Sequence, residues 1–150
     1  MQLQNIIIST GIATAGMTIR DVFDECIRCH VPRIPFAEAD GTISGCLSIR
    51  HVIHRLCIPD YVVEYADLLG DSLGCLKFPE QHARQVMNLP AERFVLRDYG
   101  VIDSQAPIAR AVAVMEKHDT NYVFVIDDGE YRGIVTVEGI ARRMLEVAAT

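Results

Sequence analysis

The sequence predicts a mixed α/β (α+β) fold in which one β-α-β-β-α unit is used twice. Three observations predict it. First, the chain matches itself at an offset of 89 residues: Gly11-Ile12-Ala13-Thr14 falls on Gly100-Val101-Ile102-Asp103, Ile19 on Ile108, Cys26 on Met115, Arg28 on Lys117 and Ile34 on Val123. The offset drops to 88 after one extra residue in the first copy's turn, where Asp40-Gly41 meets Asp128-Gly129 and Gly45-Cys46-Leu47-Ser48 meets Gly133-Ile134-Val135-Thr136. Self-similarity at a fixed period reports a repeated structural unit. Second, helical apolar stripes alternate with short apolar runs in both copies. Third, Asp-Gly turns separate two of those runs in each copy, as a hairpin requires.

In the first copy, residues 11–14 read as a short extended piece, and Thr18 stands where an N-cap belongs, ahead of a helix to about His30. Ile19, Val22, Phe23, Cys26 and Ile27 recur at the spacing of one buried face. Pro32 stops that helix. Two strands follow, Arg33 to Glu38 and Ile43 to Leu47, joined through Ala39-Asp40-Gly41-Thr42. Ser48 ends the second strand and caps a helix carrying Ile49, Val52, Ile53 and Leu56 on one face, with Pro59 after its end.

The second copy carries the same signals. Pro107 suits the first turn of a helix, and Ile108, Ala111, Val112 and Met115 make its buried stripe. The run Tyr122 to Ile126 is almost wholly apolar, as expected of a strand covered on both faces. Asp127-Asp128-Gly129-Glu130 turns into Tyr131 to Val135, and a last helix runs from Thr136 to about Ala148. The organisation is therefore a first repeat over 1–58, a connector over 59–93 and a second repeat over 94–150. The connector is too long for bare loop. Val62, Val63, Ala66 and Leu69 suggest one helix ending at Gly70, and 81–87 a second between Pro79 and Pro90. Its acidic residues Asp60, Glu64, Asp67 and Asp71 read as a solvated helix face.

Composition narrows the functional classes. The chain has 150 residues, half of them hydrophobic, and a net charge of −6, with a pI near 5.3. An acidic balance argues against a nucleic-acid partner. No apolar stretch is long enough for a membrane span, and the start lacks the basic and apolar regions of a signal peptide, so a cytoplasmic location is expected. The five cysteines, Cys26, Cys29, Cys46, Cys57 and Cys75, read as reduced thiols in that compartment.

A doubled β-α-β-β-α unit whose closing helices are entered through Gly45-Cys-Leu-Ser48 and Gly133-Ile-Val-Thr136, together with His30-Val-Pro-Arg-Ile-Pro35-Phe and Asp127-Asp-Gly129, resembles a tandem pair of cystathionine-β-synthase (CBS) domains, the Bateman module. The resemblance covers nearly the whole chain apart from the connector. It implies two repeats packed about a pseudo-two-fold axis, clefts that bind an adenine nucleotide (AMP, ADP or ATP), and pairing of two modules into a homodimer. It further implies that Ile102, beside Ser104, lines a base pocket and that Thr120 and Asn121 edge it, as Val31 and Pro32 do in the first copy. Ser48 and Thr136 sit at strand-to-helix junctions, where a hydroxyl beside unpaired helix amides suits a phosphate. Their other role is to cap their own helices. Arg33 faces an anion or is a plain surface residue at a strand end. Nucleotide-binding relatives place Asp three residues after the hydroxyl; here those positions hold His51 and Gly139. Neither accepts two hydrogen bonds from a ribose diol, so nucleotide affinity is expected to be weak, and the cleft using Ile102, Ser104, Asn121 and Thr136 to be the better one.

Other motifs point elsewhere. Cys26-Ile-Arg-Cys29-His30 spells the attachment sequence of c-type haem, but the repeat places Cys26 on a buried helix face, where a small core cysteine explains it better. His51, His54 and Cys57 fall three residues apart on one helix without an evident fourth ligand. Neither haem nor metal is expected. The leading expectation is a non-enzymatic regulatory module that binds a nucleotide and signals to a protein partner or through its own dimer. A ligand-free dimerisation module is the alternative, and a metal or redox protein using Cys26, Cys29, His51 and Cys57 is a distant third.

Overall fold

A computed structural model describes residues 1–58, 66–69 and 80–150. Thr18 caps helix α1 (Ile19–Cys29) through a capping box: its hydroxyl accepts from the Asp21 amide, and the Asp21 carboxylate accepts from the Thr18 amide. The helix ends on His30 in the left-handed region, φ 56°. Strands β1 (Arg33–Ala37) and β2 (Ile43–Ser48) pair antiparallel and lead into α2 (Ile49–Cys57). Short helices α3 (Ala66–Leu69) and α4 (Glu80–Met87) follow. The second repeat comprises β3 (Val101–Ile102), α5 (Ile108–His118), β4 (Tyr122–Asp127), β5 (Glu130–Thr136) and α6 (Val137–Ala148). Of the first predicted connector helix, only Ala66–Leu69 is described; Val62, Val63, Asp60, Glu64 and Asp71 lie outside the described residues. Pro107 is the extended N-cap of α5 rather than part of its first turn.

The α+β repeat is reproduced down to its irregularities. Arg33 pairs with Ser48 and Tyr122 with Thr136; the register shifts once in each hairpin, between Phe36 and Ala37 and between Val125 and Ile126. Asp119 ends α5 in the left-handed conformation that His30 adopts after α1. The opening extended piece pairs parallel in both copies, Ala13 with Phe36 and Ile102 with Val125. In the first copy it is a single bridge at Ala13, shorter than the expected 11–14.

The two repeats also exchange chain. Ile8 bridges antiparallel to Ile134 of the second repeat, and Leu96 bridges to Cys46 of the first, each with a pair of 2.9 Å N–H···O bonds. Ile8 and Leu96 are themselves counterparts at the 88-residue offset, as are the short 3₁₀ turns Leu3–Asn5 and Ala91–Phe94 that precede them. Such reciprocity, in which i meets j and the image of i meets the image of j, is the mark of a two-fold relation. Glycine is required at the crossings. A Cβ on Gly133 would collide with the Ile8 carbonyl oxygen, and one on Gly45 would lie 2.7 Å from the Leu96 carbonyl oxygen.

Strand alternation distributes β4 between two cores. Tyr122 and Phe124 face the inter-repeat core with Ile34, Phe36 and Leu47, whereas Val123 and Val125 face Ala111 and Met115 of α5. Phe124 stands where the first copy has Pro35 and packs against the rings of Tyr99, Tyr122 and Tyr131 at 5.2–5.9 Å between centroids. Two expected core positions are corrected: Ile27 is 66% exposed and Val112 41%. Ile27 lies next to buried Cys26 but on the far side of the stripe set by Ile19, Val22 and Cys26, whose helical spacing already fills the contact face. No described helix is long and apolar enough to cross a membrane.

Candidate functional site

The site is built on the two strand-to-helix junctions. Each hydroxyl accepts a hydrogen bond from the amide three residues on: Ser48 from His51 at 3.2 Å and Thr136 from Gly139 at 3.0 Å. Both are buried. The first helical amide of each helix is tied to the residue just before the other strand of its hairpin, Ile49 N–H to the Pro32 carbonyl and Val137 N–H to that of Asn121. The remaining amides at each N-terminus, with the positive end of the helix dipole, favour an acceptor or anion.

A cleft of about 670 Å³ opens over the second junction, lined by His30, Val31 and Pro32 from the first repeat and by Asn121, Thr136, Val137, Glu138 and Ala141 from the second. That volume is in the range of small-ligand sites. Its image over the first junction is a more apolar hollow of about 590 Å³ lined by Pro32, Ile49, Arg50, Ile53, His54 and Ile58.

The structure brings some of the expected site residues together. Asn121 and Thr136 share the first of these clefts. Ser48, His51 and Arg33 cluster at the other junction, because Arg33 lies directly across the hairpin from Ser48. The Arg33 guanidinium sits 4.7 Å from the centre of the Tyr122 ring, so it is half-buried between the repeats rather than a plain surface group. Burial, then Arg55, Arg33 and His54, lowers the His51 pKa. Thr120 turns its hydroxyl back to the Tyr122 carbonyl at 3.0 Å. Ile102 and Ser104 are elsewhere. Ile102 is buried in the second core, and Ser104, whose amide donates to Asp127 Oδ1 at 2.9 Å, borders a separate hollow of about 300 Å³ with Met1 to Gln4. Val137, Glu138 and Ala141 line the cleft without having been singled out in the sequence, and His30, named there only as a motif residue, joins them. His30 follows from the repeat, since the offset places 30–32 opposite 119–121.

Among the described thiols, Cys26 and Cys46 are buried in the core and Cys29 is half-buried. Cys26 is fully buried, and burial pushes its pKa up to about 12. That disfavours the thiolate that metal or haem chemistry needs. Among the described residues no three His, Cys, Asp or Glu side chains are grouped to hold a metal ion.

The chain has the fold of a tandem CBS-domain pair. Residues 91–146 match the family model of the CBS domain, and the second repeat is a CBS domain. Over nearly its full length the chain has the fold of CBS-domain-containing proteins. One from Bacillus anthracis, of unknown function, is 13% identical with a TM-score of 0.65, over 97% of this chain and 94% of that one. Another, from Kribbella flavida, is 14% identical with a TM-score of 0.67, over 97% and 99%. Protein MJ1225 of Methanocaldococcus jannaschii, described as a candidate archaeal homologue of g-AMPK, is 19% identical with a TM-score of 0.65, over 95% of this chain and 47% of that one. Among curated proteins, none matches the sequence.

Proposed function

We propose that this chain is a non-catalytic regulatory module that binds an adenosine-type nucleotide in the inter-repeat cleft and passes the bound state to a protein partner or to its own dimer. The observation that carries the reading is the cleft's composition: residues 30–32 of one repeat face Thr136 to Ala141 of the other. A ligand held there touches both repeats, and it shifts their arrangement to the extent that it prefers one arrangement over another. The similarity to a candidate g-AMPK homologue supports a nucleotide as the ligand class. A second reading, a ligand-free dimerisation module, is favoured by the outer face of α6, where Met144, Leu145 and Val147 are exposed. Ile140 of the same helix is buried in the second core.

Thermal shifts with a nucleotide panel test the proposal. A ligand at a hundred times its Kd stabilises by about 2.7 kcal/mol, so AMP, ADP or ATP at millimolar concentration should raise Tm measurably. Thr136→Ala should reduce that rise and lower basal stability by about 1 kcal/mol through the lost cap. If no nucleotide shifts Tm while light scattering gives a dimer, the dimerisation reading replaces this one.

A further inference from the structure

One contact between the repeats is made on the first repeat and left open on the second. On the first, the entry to α1 is covered by the chain that follows α4. Ile19 N–H donates to the Leu89 carbonyl at 3.0 Å and Ala91 N–H to the Met17 carbonyl at 2.9 Å, with Thr18 bridged to Pro90 between them. Helix α4 packs against α1 beside this bridge. There Val86 is buried, and Met87, Leu89 and Phe23 of α1 pack on the same core.

On the second repeat the same groups stay apart. Met17 and Ile19 have Ala106 and Ile108 as counterparts, and Leu89 and Ala91, at the 88-residue offset, have Met1 and Leu3. The equivalence holds locally, since Asn5 N–H bonds the Gln2 carbonyl as Arg93 N–H bonds that of Pro90. Among the described residues, however, neither the Ile108 N–H nor the Ala106 carbonyl has a hydrogen-bond partner. A hollow of about 300 Å³ separates the two segments, bounded by Met1 to Gln4 on one side and Ser104 to Ile108 on the other. Val112 continues from Ile108 along the same side of α5. It is 41% exposed, whereas its counterpart Phe23 is half-buried.

We propose that this hollow and the adjoining face of α5 dock a segment of a partner protein: a short basic amphipathic helix running into an extended apolar-Pro-apolar stretch. The template is the chain's own α4 with Leu89-Pro90-Ala91, seated at the equivalent place on the first repeat. The extended stretch supplies a carbonyl to Ile108 N–H and an N–H to the Ala106 carbonyl, so main-chain pairing holds it while Val112 receives an apolar side chain of the helix. Proline suits the middle position, because it has no N–H to leave unpaired. Charge makes the partner helix basic. On the stripe that contains Val112, Ala109 and Glu116 stand where α1 has Arg20 and Ile27, so one cation is lost and one carboxylate gained. The docking is independent of any nucleotide in the inter-repeat cleft.

The test is calorimetry of the full chain with three synthetic peptides: residues 80–92 of this sequence, a basic form carrying Glu80→Lys and Glu92→Lys, and that basic form with N-methylalanine in place of Ala91. The basic form is expected to bind most tightly. The N-methyl peptide, which has no N–H for the Ala106 carbonyl, should bind about tenfold more weakly than the basic form. Val112→Asp should weaken the basic form by about tenfold or more, and because Val112 is exposed the variant keeps its fold. Ile27→Asp, on the exposed side of α1, is the control for displacement of α4 from the first repeat and should change nothing. Absence of binding at millimolar peptide, binding indifferent to Val112→Asp or to the N-methyl group, or weakening by Ile27→Asp would overturn the site. Tighter binding of the unmodified peptide than of the basic form would overturn the basic partner. A homodimer that Val112→Asp dissociates and that binds no peptide would place a second copy on this face and overturn the partner assignment.

Discussion

At the scale of single residues, the glycine of each Gly-apolar-apolar-Ser/Thr motif is explained by what crosses it. Gly133 and Gly45 leave room for the carbonyls of Ile8 and Leu96, so the motif's first residue serves the exchange between repeats and its last serves the junction. Gly133 also adopts φ 154°, at the edge of the region that favours glycine. Gly133→Ala must displace a backbone carbonyl rather than the tip of a side chain. It should therefore destabilise by at least the 1–3 kcal/mol typical of overpacking, read as a lower urea midpoint at unchanged m-value. A wild-type midpoint would show that the Ile8 strand does not pack on Gly133. The hydroxyls at the other end of the motif were legible as caps because capping needs only local sequence. Ligand contact was not legible, because it depends on what the other repeat brings.

At the scale of elements, helix α1 shows how one carboxylate ties a helix to a preceding segment. Glu25 accepts from the Gly11 amide and from Arg28, and a Cβ on Gly11 would come within 2.7 Å of that carboxylate. The hydrogen bond from Arg28 first, then the Gly11 amide, lowers the Glu25 pKa to about 2 from an ordinary 4.5. A carboxylate with a depressed folded pKa contributes stability above its unfolded value, and that contribution disappears as pH falls from about 4.5 to about 2. Glu25→Gln should thus cost on the order of 1 kcal/mol near pH 6, Arg28 being largely in water, and the two stability curves should converge near pH 2. A constant gap across that range would show that the Glu25 charge contributes nothing. The elements themselves were mostly legible. Thr18, Pro32, Asp40-Gly41 and Asp128-Gly129 mark boundaries that the structure keeps to within a residue or two. Ile27 and Val112 misled because apolarity marks what a helix can bury, not which side the sheet covers. The lead-in segments around Ile8 and Leu96 escaped notice as part of the repeat because each completes a distant sheet, and their local sequence carries no turn or cap signal.

For the whole molecule, the exchange of Ile8 and Leu96 joins the repeats into one cooperative unit. The inter-repeat core, which combines Ile34, Phe36 and Leu47 with Tyr122, Phe124 and Ile134, works in the same direction. Heat or urea should accordingly unfold the chain in a single transition, and Leu47→Ala should lower the midpoint of the whole by the 2–5 kcal/mol of a large-to-small core change. Two separable transitions, one insensitive to Leu47→Ala, would contradict this. The same exchange bears on how the protein is made. Ile8 leaves the ribosome 134 − 8 = 126 positions before its partner Ile134. At roughly 5–20 residues per second, the segment around Ile8 waits on the order of ten seconds for the strand it pairs with. The apolar stretch Ile6-Ile7-Ile8 stays without its β5 partner until those residues have been added. Long-range pairing of this kind slows folding, so a nascent chain halted before β5 is the form most in need of a chaperone.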